Sequence, residues 1–556
     1  MSSSSKKKLR KEQETAQLTQ KQLKEQAEAK KLKQMTVIFA VIIALVIAAA
    51  VAVLSIRAYN NSGIRERNTI ALKVGDHDIT AAEFNYFYYD AVNGFYTQFS
   101  GYDQYAVDYA KAMYGIDMTL PLDEQIYSET DNFTWADYFL GEAEYSAKSI
   151  YALYDEAMAN NFSLNEEQQT NLAKQFLAMD AIAQEAYGAK NMKDYLKSMY
   201  GPGASEETYR DYVTMSTIAE AYGADYQNSI EYTDAELRAQ ESGREKEFNS
   251  YSYATYLVSR SEFLTGGTKN ADGTTTYSDE DYKKAEKAAK EAAEALAGKV
   301  SNATNFNKAV KEMEINADST EENLINEYTE MVFSSVTSYM QDWICDSSRV
   351  KGDTTIIENT TDITNDDGST TKRVNGYYVI LFLDRNENDY PLVDVRHILL
   401  DFEGGTTDKD GNITYSDADK AATMKSAEEL LAQWQAGEAT QESFAALANE
   451  KSTDVASNTR GGLYEDVYPG QTLTEFNDWI YDSSRKAGDT GVVQTTSGCH
   501  IMYFVGESDM TFRDFMIKNE LLSDDITEWQ NNLIDSVEVT RVDTSLVDTD
   551  MVMMAS

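Results

Sequence analysis

WICDSSRVKGDTTIIE (residues 343–358) and WIYDSSRKAGDTGVVQ (residues 479–494) are two copies of one segment, identical at nine of sixteen positions. A second matching pair precedes them, DGTTTYSDED (residues 272–281) and DGNITYSDAD (residues 410–419). The two pairs occur in the same order, 136 and 138 residues apart. This spacing indicates an internal duplication. We call residues 248–386 the first repeat and residues 389–508 the second repeat.

Each repeat follows the same coarse plan. A strand-like run (SYATYLV or DVRHILL) opens it, and a polar loop and an Ala/Glu/Lys-rich helix follow. Ser278-Asp279 and Ser416-Asp417 are capping signals for that helix. An apolar strand (YYVILFL or CHIMYFV) closes each repeat. A first and a last strand with helices between them in the sequence predict a compact α+β domain.

The N-terminal part of the chain predicts a membrane anchor. Residues 1–34 hold ten Lys/Arg and four Glu, and residues 35–56 (MTVIFAVIIALVIAAAVAVLSI) are uncharged. A helix of 22 such residues is long enough to cross a hydrocarbon core of about 30 Å. The preceding basic segment places the N-terminus in the cytoplasm and the body outside the cell. A cleaved signal peptide is the alternative.

The rest of the chain is strongly acidic. The total charge of −44, less the +6 of residues 1–34, leaves −50 for the exported body. Binding to a phosphate backbone needs a basic surface, so nucleic acid is not an expected partner. Cys345 and Cys499 follow no regular spacing, and both free thiols and a disulfide remain open.

A long helical region separates the anchor from the repeats. Residues 57–67 are expected to form a polar linker, and ALKVGDHDIT (residues 71–80) predicts a strand–turn–strand unit. Tyr, Phe, Leu and Ala then recur at helical spacing to about residue 244. Residues 511–533 predict an amphipathic helix, and the alternation in SVEVTRVDT predicts a late strand that pairs with residues 70–79.

Two of the three histidines lie in the outer strands of the second repeat. His397 lies in VRHILL and His500 in TTSGCHIMYF, and FAALANEKSTDVASNTRGGL and TLTEFNDWIYD lie between them. These four segments, in this order across about 115 residues, resemble the parvulin family of peptidyl-prolyl isomerases. The resemblance implies a small antiparallel sheet wrapped by helices, and catalysis of X–Pro cis/trans isomerisation. A metal site or a purely structural hydrogen-bond network at the histidines is the alternative.

The resemblance also implies site residues. The polar cluster matches His397, Asp454, His500, Thr495 and Ser497, and the apolar cup for the proline ring matches Leu463 and Phe476. One further cup position, usually Met in the family, falls at Thr472 or Leu473, so proline affinity is expected to depart from the family norm. Isomerisation breaks no bond and faces a barrier of about 18–20 kcal/mol. We therefore expect a twisted amide to be stabilised without a nucleophile, metal or cofactor.

The first repeat departs from this pattern. Aligned on the outer strands, Tyr256 stands where the second repeat has His397, and Tyr378 stands where it has His500. The turn formed by RGGL (residues 460–463) has no counterpart. We expect a parvulin-like fold without isomerase activity.

The loop after the opening strand of the second repeat bears on specificity. It reads DFEGGTTDKDG and holds Asp401, Glu403, Asp408 and Asp410. Carboxylates repel a phosphorylated Ser/Thr-Pro sequence. The loop predicts a general isomerase.

The whole layout resembles the PrsA/SurA group of exported foldases, through ALKVGDHDITAAEF and the domain order. The resemblance implies a chaperone body made of residues 68–247 and 509–556, with repeats at 248–388 and 389–508. The expected function is a foldase on the membrane of a Gram-positive bacterium, acting on unfolded exported proteins. The anchor is a departure, because Gram-positive members are usually lipoproteins. The alternative is a non-catalytic holdase or assembly scaffold.

Overall fold

The computed structural model of the chain describes residues 3–98, 104–185, 191–364, 369–407, 409 and 413–551. The chain divides into two compact units. One comprises Met1–Ile230 with Asp525–Ser556, and the other comprises Glu231–Asp524.

The N-terminal helix, α1 (Ser3–Asn60), contains the basic leader and the apolar segment. Its part Lys30–Asn60 is, by length and composition, able to cross a membrane. A signal sequence near the N-terminus would satisfy the same criteria. The segment expected as a linker contains a short helix, α2 (Ile64–Asn68), in which Glu66 is buried.

The first unit is mostly helical, with short strands. Its other helices are α3 (Ala81–Tyr96), α4 (Gln104–Tyr114), α5 (Trp135–Ala159), α6 (Glu166–Glu185), α7 (Met192–Tyr200) and α8 (Glu206–Ser229). Its strands are β1 (Ile70–Val74), β2 (His77–Thr80), β3 (Ile126–Ser128), β4 (Phe133–Thr134) and, late in the chain, β17 (Val539–Arg541). β1 pairs antiparallel with both β2 and β17, so the expected strand–turn–strand unit and the expected late pairing are both present.

Aromatic and alanine side chains form the core of this unit. Phe84, Phe87 and Tyr88 on α3 pack with Trp135 and Phe139 on α5. Thr80 begins α3 with a reciprocal hydrogen-bonded cap to Glu83. The helical periodicity therefore reflects an ordinary buried core at these positions.

The second unit contains two four-stranded antiparallel sheets and their helices. The elements of the first repeat are β5 (Ser250–Ser259), β6 (Thr268–Lys269), β7 (Thr275–Thr276), α10 (Asp279–Ala297), α11 (Ala303–Lys311), β8 (Asn326–Val332), α12 (Ser338–Ile344), β9 (Thr354–Thr364) and β10 (Thr370–Asn386), and α9 (Asp234–Glu241) precedes them. The elements of the second repeat are β11 (Pro391–Leu400), β12 (Thr406–Thr407), β13 (Ile413–Thr414), α13 (Asp417–Gln435), α14 (Gln441–Lys451), β14 (Leu463–Val467), α15 (Thr474–Ile480), β15 (Thr490–Gln494) and β16 (Cys499–Thr511). Helix α16 (Phe512–Asp535) follows.

The two sheets have the same strand order. The first is β8-β5-β10-β9 and the second is β14-β11-β16-β15, so in both the opening strand pairs with the closing strand at the centre. The predicted capping signals are used, because Ser278 and Ser416 begin α10 and α13 with reciprocal caps to Asp281 and Asp419. Cys345 is a buried free thiol, and Cys499 is another.

A buried arginine at the start of α16 contacts α9, the start of the first repeat and the segment between the two repeats. Arg513 is 6% exposed and forms an ion pair with Glu241 on α9. Its Nη1 donates to Asn249 Oδ1 (2.7 Å) and to the Glu387 carbonyl (2.8 Å). A buried guanidinium needs such partners, because an unpaired buried charge is costly.

Candidate functional site

The central strand pair of the second repeat positions the two histidines. Leu399 on β11 lies opposite His500 on β16, so His397, two residues before Leu399, points to the same face of the sheet. On the other side of β11, Val395 lies opposite Tyr464 of β14. Five side chains from three strands thus lie on one face of the sheet.

Hydrogen bonds join the histidines to a carboxylate and a hydroxyl. His397 Nδ1 lies 3.1 Å from His500 Nδ1, and His397 Nε2 lies 3.0 Å from Asp454 Oδ2. His500 Nε2 lies 2.9 Å from Thr495 Oγ1, which accepts from the Ser497 amide at 3.1 Å. His397 is 2% and His500 6% exposed, so these contacts lie away from water.

Burial keeps both imidazoles neutral. Desolvation lowers the pKa of His397, although the Asp454 carboxylate opposes the shift. Desolvation, with repulsion from His397, lowers the pKa of His500 to about 4. Burial raises the pKa of Asp454, but a hydrogen bond from Ser457 and the attraction of His397 outweigh it, so the net shift is downward. At neutral pH the cluster therefore holds one carboxylate and two neutral rings.

These charge states determine the direction of every hydrogen bond. An ionised carboxylate only accepts, so His397 Nε2 carries the hydrogen and its Nδ1 is an acceptor. His500 Nδ1 must then donate to His397, which leaves His500 Nε2 to accept from the Thr495 hydroxyl. The two histidines are therefore assigned opposite tautomers, with each ring orientation set by its neighbour.

Two further hydroxyls hold Asp454. The Ser457 hydroxyl donates to its Oδ2, and the Tyr464 hydroxyl donates to the same oxygen at 3.1 Å. Burial, followed by the nearby carboxylate, raises the pKa of Tyr464 to about 12, so the phenol stays a donor. The carboxylate is thereby fixed as the acceptor at one end of the chain of hydrogen bonds.

The turn of residues 460–463, which contains two glycines, lies against β11 at His397. The Gly462 carbonyl accepts from the His397 amide at 2.8 Å. Gly461 (φ +70°) and Gly462 (φ +68°) both adopt the left-handed region, which favours glycine. A Cβ at Gly462 would overlap the His397 carbonyl, so the close approach of this turn to β11 requires glycine.

A cleft of about 450 Å³ opens above the cluster. Phe476 forms its apolar wall, with its ring centroid 5.4 Å from that of His397 and 5.3 Å from that of His500. The lining residues are His397, Leu399, Asp454, Tyr464, Gln471, Thr472, Leu473, Phe476, Ser497 and His500. An apolar wall beside a small set of fixed polar groups is typical of a small-ligand site.

The predicted site residues are largely brought together. Phe476, Thr472 and Ser497 line the cleft, and Thr495 lies behind His500. Leu463 is the exception. It precedes Tyr464 on β14 and so points to the opposite face, and the lining contains Tyr464 in its place.

Ser457 and Tyr464 belong to the site but were not predicted from the sequence. Ser457 lies three residues after Asp454, a spacing at which a side chain returns to the same turn. Tyr464 could have been found from strand alternation next to the glycine turn. Leu473 was named only as an alternative to Thr472, and both residues line the cleft.

Strand register defines the counterpart of His500 in the first repeat. His500 pairs with Val493 of β15, and the equivalent of Val493 in the repeated segment is Ile357 of β9. Ile357 pairs with Tyr378. Tyr378 therefore takes the place of His500, as expected.

The expected counterpart of His397 is corrected by the same register. His397 pairs with Met502, whose equivalent Ile380 pairs with Thr255. Thr255 thus takes the place of His397, and the neighbouring Tyr256 points to the other face, where its hydroxyl accepts from Asn316 Nδ2 at 2.9 Å. A slip of one residue moves a strand side chain to the opposite face, which is the source of the error.

The acidic loop is described in part. Asp401 accepts a hydrogen bond from Thr453 Oγ1 at 2.8 Å, and Glu403 is exposed. Asp408 and Asp410 lie outside the described residues.

Comparisons with known proteins locate the similarity in this repeat. Residues 397–506 match the family model "Rotamase: PPIC-type PPIASE domain". Foldase protein PrsA 1 of Listeria innocua is 28% identical over 166 residues, covering 28% of this chain and 48% of the relative. Foldase protein PrsA 3 of Bacillus cereus is 29% identical over 144 residues, covering 24% and 49%. The chain spans about half the length of the curated relatives it matches.

A crystal structure of PrsA from Bacillus subtilis aligns with 77% of this chain and 98% of its own, at 13% identity and a TM-score of 0.28. The family match covers both histidines and the residues between them. Residues 397–506 are therefore a PPIC-type, parvulin-type peptidyl-prolyl isomerase domain, in a chain that is similar to PrsA foldases.

Proposed function

We propose that this chain is a membrane-anchored extracytoplasmic foldase whose second repeat catalyses cis/trans isomerisation of X–Pro bonds in exported proteins. The single observation that carries the proposal is the directed hydrogen-bond chain from Thr495 through His500 and His397 to Asp454, beside a cleft walled by Phe476. The family match of the same residues supports it.

The geometry supports catalysis without covalent chemistry. Phe476, which is buried, and Leu473, which is exposed, offer an apolar surface for the proline ring. An apolar surface favours the twisted amide, whose C–N bond has lost double-bond character. The neutral, mutually oriented rings present fixed dipoles to that amide. Asp454 holds His397 in its tautomer and has no bond-forming role.

The other parts of the proposal concern clients and location. Residues 68–247 and 509–556 would hold unfolded exported proteins, α1 would anchor the chain with its N-terminus in the cytoplasm, and the first repeat would be a parvulin-like domain without activity. The apolar stretch of α1 supports the anchor. The equal strand order of the two sheets, with Thr255 and Tyr378 at the histidine positions, supports the assignment of the first repeat. The exposed Asp401 and Glu403 favour clients that lack a phosphate before proline.

The test is a cis/trans exchange assay on a proline-containing peptide, observed by NMR exchange spectroscopy. The full chain should accelerate exchange, and His397→Ala and His500→Ala should each abolish most of the acceleration. Residues 389–508 alone should be active and residues 248–386 inactive. Unchanged exchange rates in both histidine variants would refute the assigned site.

A second candidate, a non-catalytic holdase or scaffold, has one observation in its favour. Thr472 places a hydroxyl in the cleft, and its Oγ1 is buried without a hydrogen-bond partner among the described residues. An unpaired polar atom weakens an apolar cup. This candidate predicts that the chain suppresses aggregation of an unfolded protein without accelerating peptide exchange.

A further inference from the structure

The first repeat contains a groove lined by small side chains, and the second repeat has larger side chains at the equivalent positions. The groove has a volume of about 540 Å³ and lies between α10, α11 and the segments that follow β5 and α11. Its floor is apolar, with Ala288, Ala292, Leu296, Ala309, Met313 and Ile315. It lies on the sheet face opposite to Thr255 and Tyr378, because its floor belongs to the core that includes Ala254 and Val379.

The duplicated sequence explains why the groove is open. The N-cap residues of α10 and α13, Ser278 and Ser416, are 138 residues apart, and those of α11 and α14 have the same offset. Ala292, Leu296 and Ala309 therefore correspond to Leu430, Trp434 and Leu447.

Those larger side chains occupy the equivalent positions in the second repeat. Leu430, Trp434 and Leu447 all pack against its core. The Trp434 ring lies 5.4 Å from that of Phe444, and its Nε1 donates to Ser443 Oγ at 2.9 Å. Three smaller residues in the first repeat leave this volume unfilled.

Charge indicates what fits the groove. Its rim carries three carboxylates, Glu262, Glu312 and Glu314, and one ammonium, Lys299. A segment with bulky aliphatic side chains would fill the floor, and flanking Lys or Arg would face the carboxylates. A second copy of this chain fits poorly, because each exported body carries a net charge of −50.

We infer that this groove is a client-binding site for short apolar segments flanked by basic residues. The inference rests on the proposed foldase function for the source of the segment, and it adds a recognition site that is separate from the prolyl cleft. The first repeat would then contribute binding where the second contributes isomerisation.

The test fills the groove with the residues of the second repeat. The double variant Ala292→Leu/Ala309→Leu is compared with wild type, both as full chains in nanodiscs of zwitterionic lipid, with empty nanodiscs as the blank. The probe is a fluorescein-labelled Leu/Ala peptide with two lysines at each end, and its anisotropy is measured. Ala421→Leu, at an exposed position of α13, is the matched control.

Filling should weaken peptide binding by at least about tenfold, and Ala421→Leu should leave it unchanged. The rim variant Glu262→Gln/Glu314→Gln, at two exposed positions, should also weaken binding of the lysine peptide. It should leave binding of an uncharged Leu/Ala peptide near the wild-type value.

Several results would overturn the inference. These are wild-type affinity in the filled variant, equal loss in the Ala421→Leu control, no binding by wild type, or equal binding of a peptide with glutamate flanks. Self-association of wild type that disappears on filling would assign the groove to a second copy instead. Prolyl exchange activity, measured on the same samples, should be unchanged by filling. Its absence from every sample would refute the catalytic function and leave the binding result to decide the groove.

Discussion

Acidification from pH 8 to pH 4 should protonate His500 only at the end of that range. Its folded pKa is about 4, against a usual value of 6.5, because burial and the neighbouring His397 disfavour the charged ring. Between these values the unfolded chain binds a proton at this residue and the folded chain does not, so stability falls as pH falls. The gap of about 2.5 units corresponds to about 3 kcal/mol, of which about 2 kcal/mol is lost by pH 5.

Labelling with ¹⁵N-histidine gives a direct assay, because the chain has only three histidines. Long-range ¹H–¹⁵N correlation spectra distinguish the tautomers of each ring and follow each titration. We expect hydrogen on Nε2 of His397 and on Nδ1 of His500, with the His500 ring neutral down to about pH 5. Urea unfolding of wild type and of His500→Gln measures the free energy of unfolding at each pH. The difference between the two proteins should shrink by about 2 kcal/mol from pH 8 to pH 5.

Two results would refute this reasoning. Identical tautomers for the two buried rings would contradict the direction assigned to the hydrogen-bond chain. A His500 midpoint near 6.5, or a stability difference that does not vary with pH, would show that the ring is accessible to water in the folded state.

Three other substitutions test the parts that support the site. Thr495→Val removes the hydroxyl donor to the second histidine, and should cost about 1–3 kcal/mol in urea unfolding and lower the prolyl exchange rate; an unchanged rate would place the hydroxyl outside the mechanism. In Gly462→Ala the added Cβ would overlap the His397 carbonyl and should displace β11. We expect a loss of prolyl exchange activity in a chain that still folds by circular dichroism. Arg513→Ala removes one of the two arginines that pair with Glu241, the other being Arg238, and takes the donor from Asn249 Oδ1 and the Glu387 carbonyl. It should destabilise the second unit by about 1–3 kcal/mol in urea, and an unchanged stability would show that water replaces the guanidinium at these acceptors.

Much of the second repeat could be predicted from sequence, because its evidence is local. The opening and closing strands are short apolar runs, the helix caps are Ser-x-x-Asp pairs, and the glycine turn has a steric reason to exist. His397 and His500 fall on paired central strands, so the family pattern places them together. These features depend on neighbours in the chain or on one strand pairing.

The remaining parts of the site depend on strand register, which decides the face of the sheet to which each side chain points. Leu463 and Tyr464 are adjacent in sequence, and only the pairing with β11 decides which one enters the cleft. The same ambiguity exchanged Thr255 for Tyr256 in the first repeat. A groove formed by missing volume, as at Ala292, is invisible to pattern reasoning, since alanine is an ordinary helix residue.

Two of the differences between the repeats lie on opposite faces of the sheet in the first repeat. Thr255 and Tyr378, at the histidine positions, lie on the face that holds the cleft in the second repeat, whereas Ala292 and Ala309 lie on the helix-covered face. Neither change requires the other, because a strand separates the two sets of side chains. Their energetic effects should therefore add, so combining Tyr378→His with the filled groove should give the sum of the two separate changes in unfolding free energy to within about 0.5 kcal/mol. A larger deviation in urea unfolding would mean that the packing of the groove depends on the residues at the histidine positions, and would remove the reason to treat it as a separate binding surface.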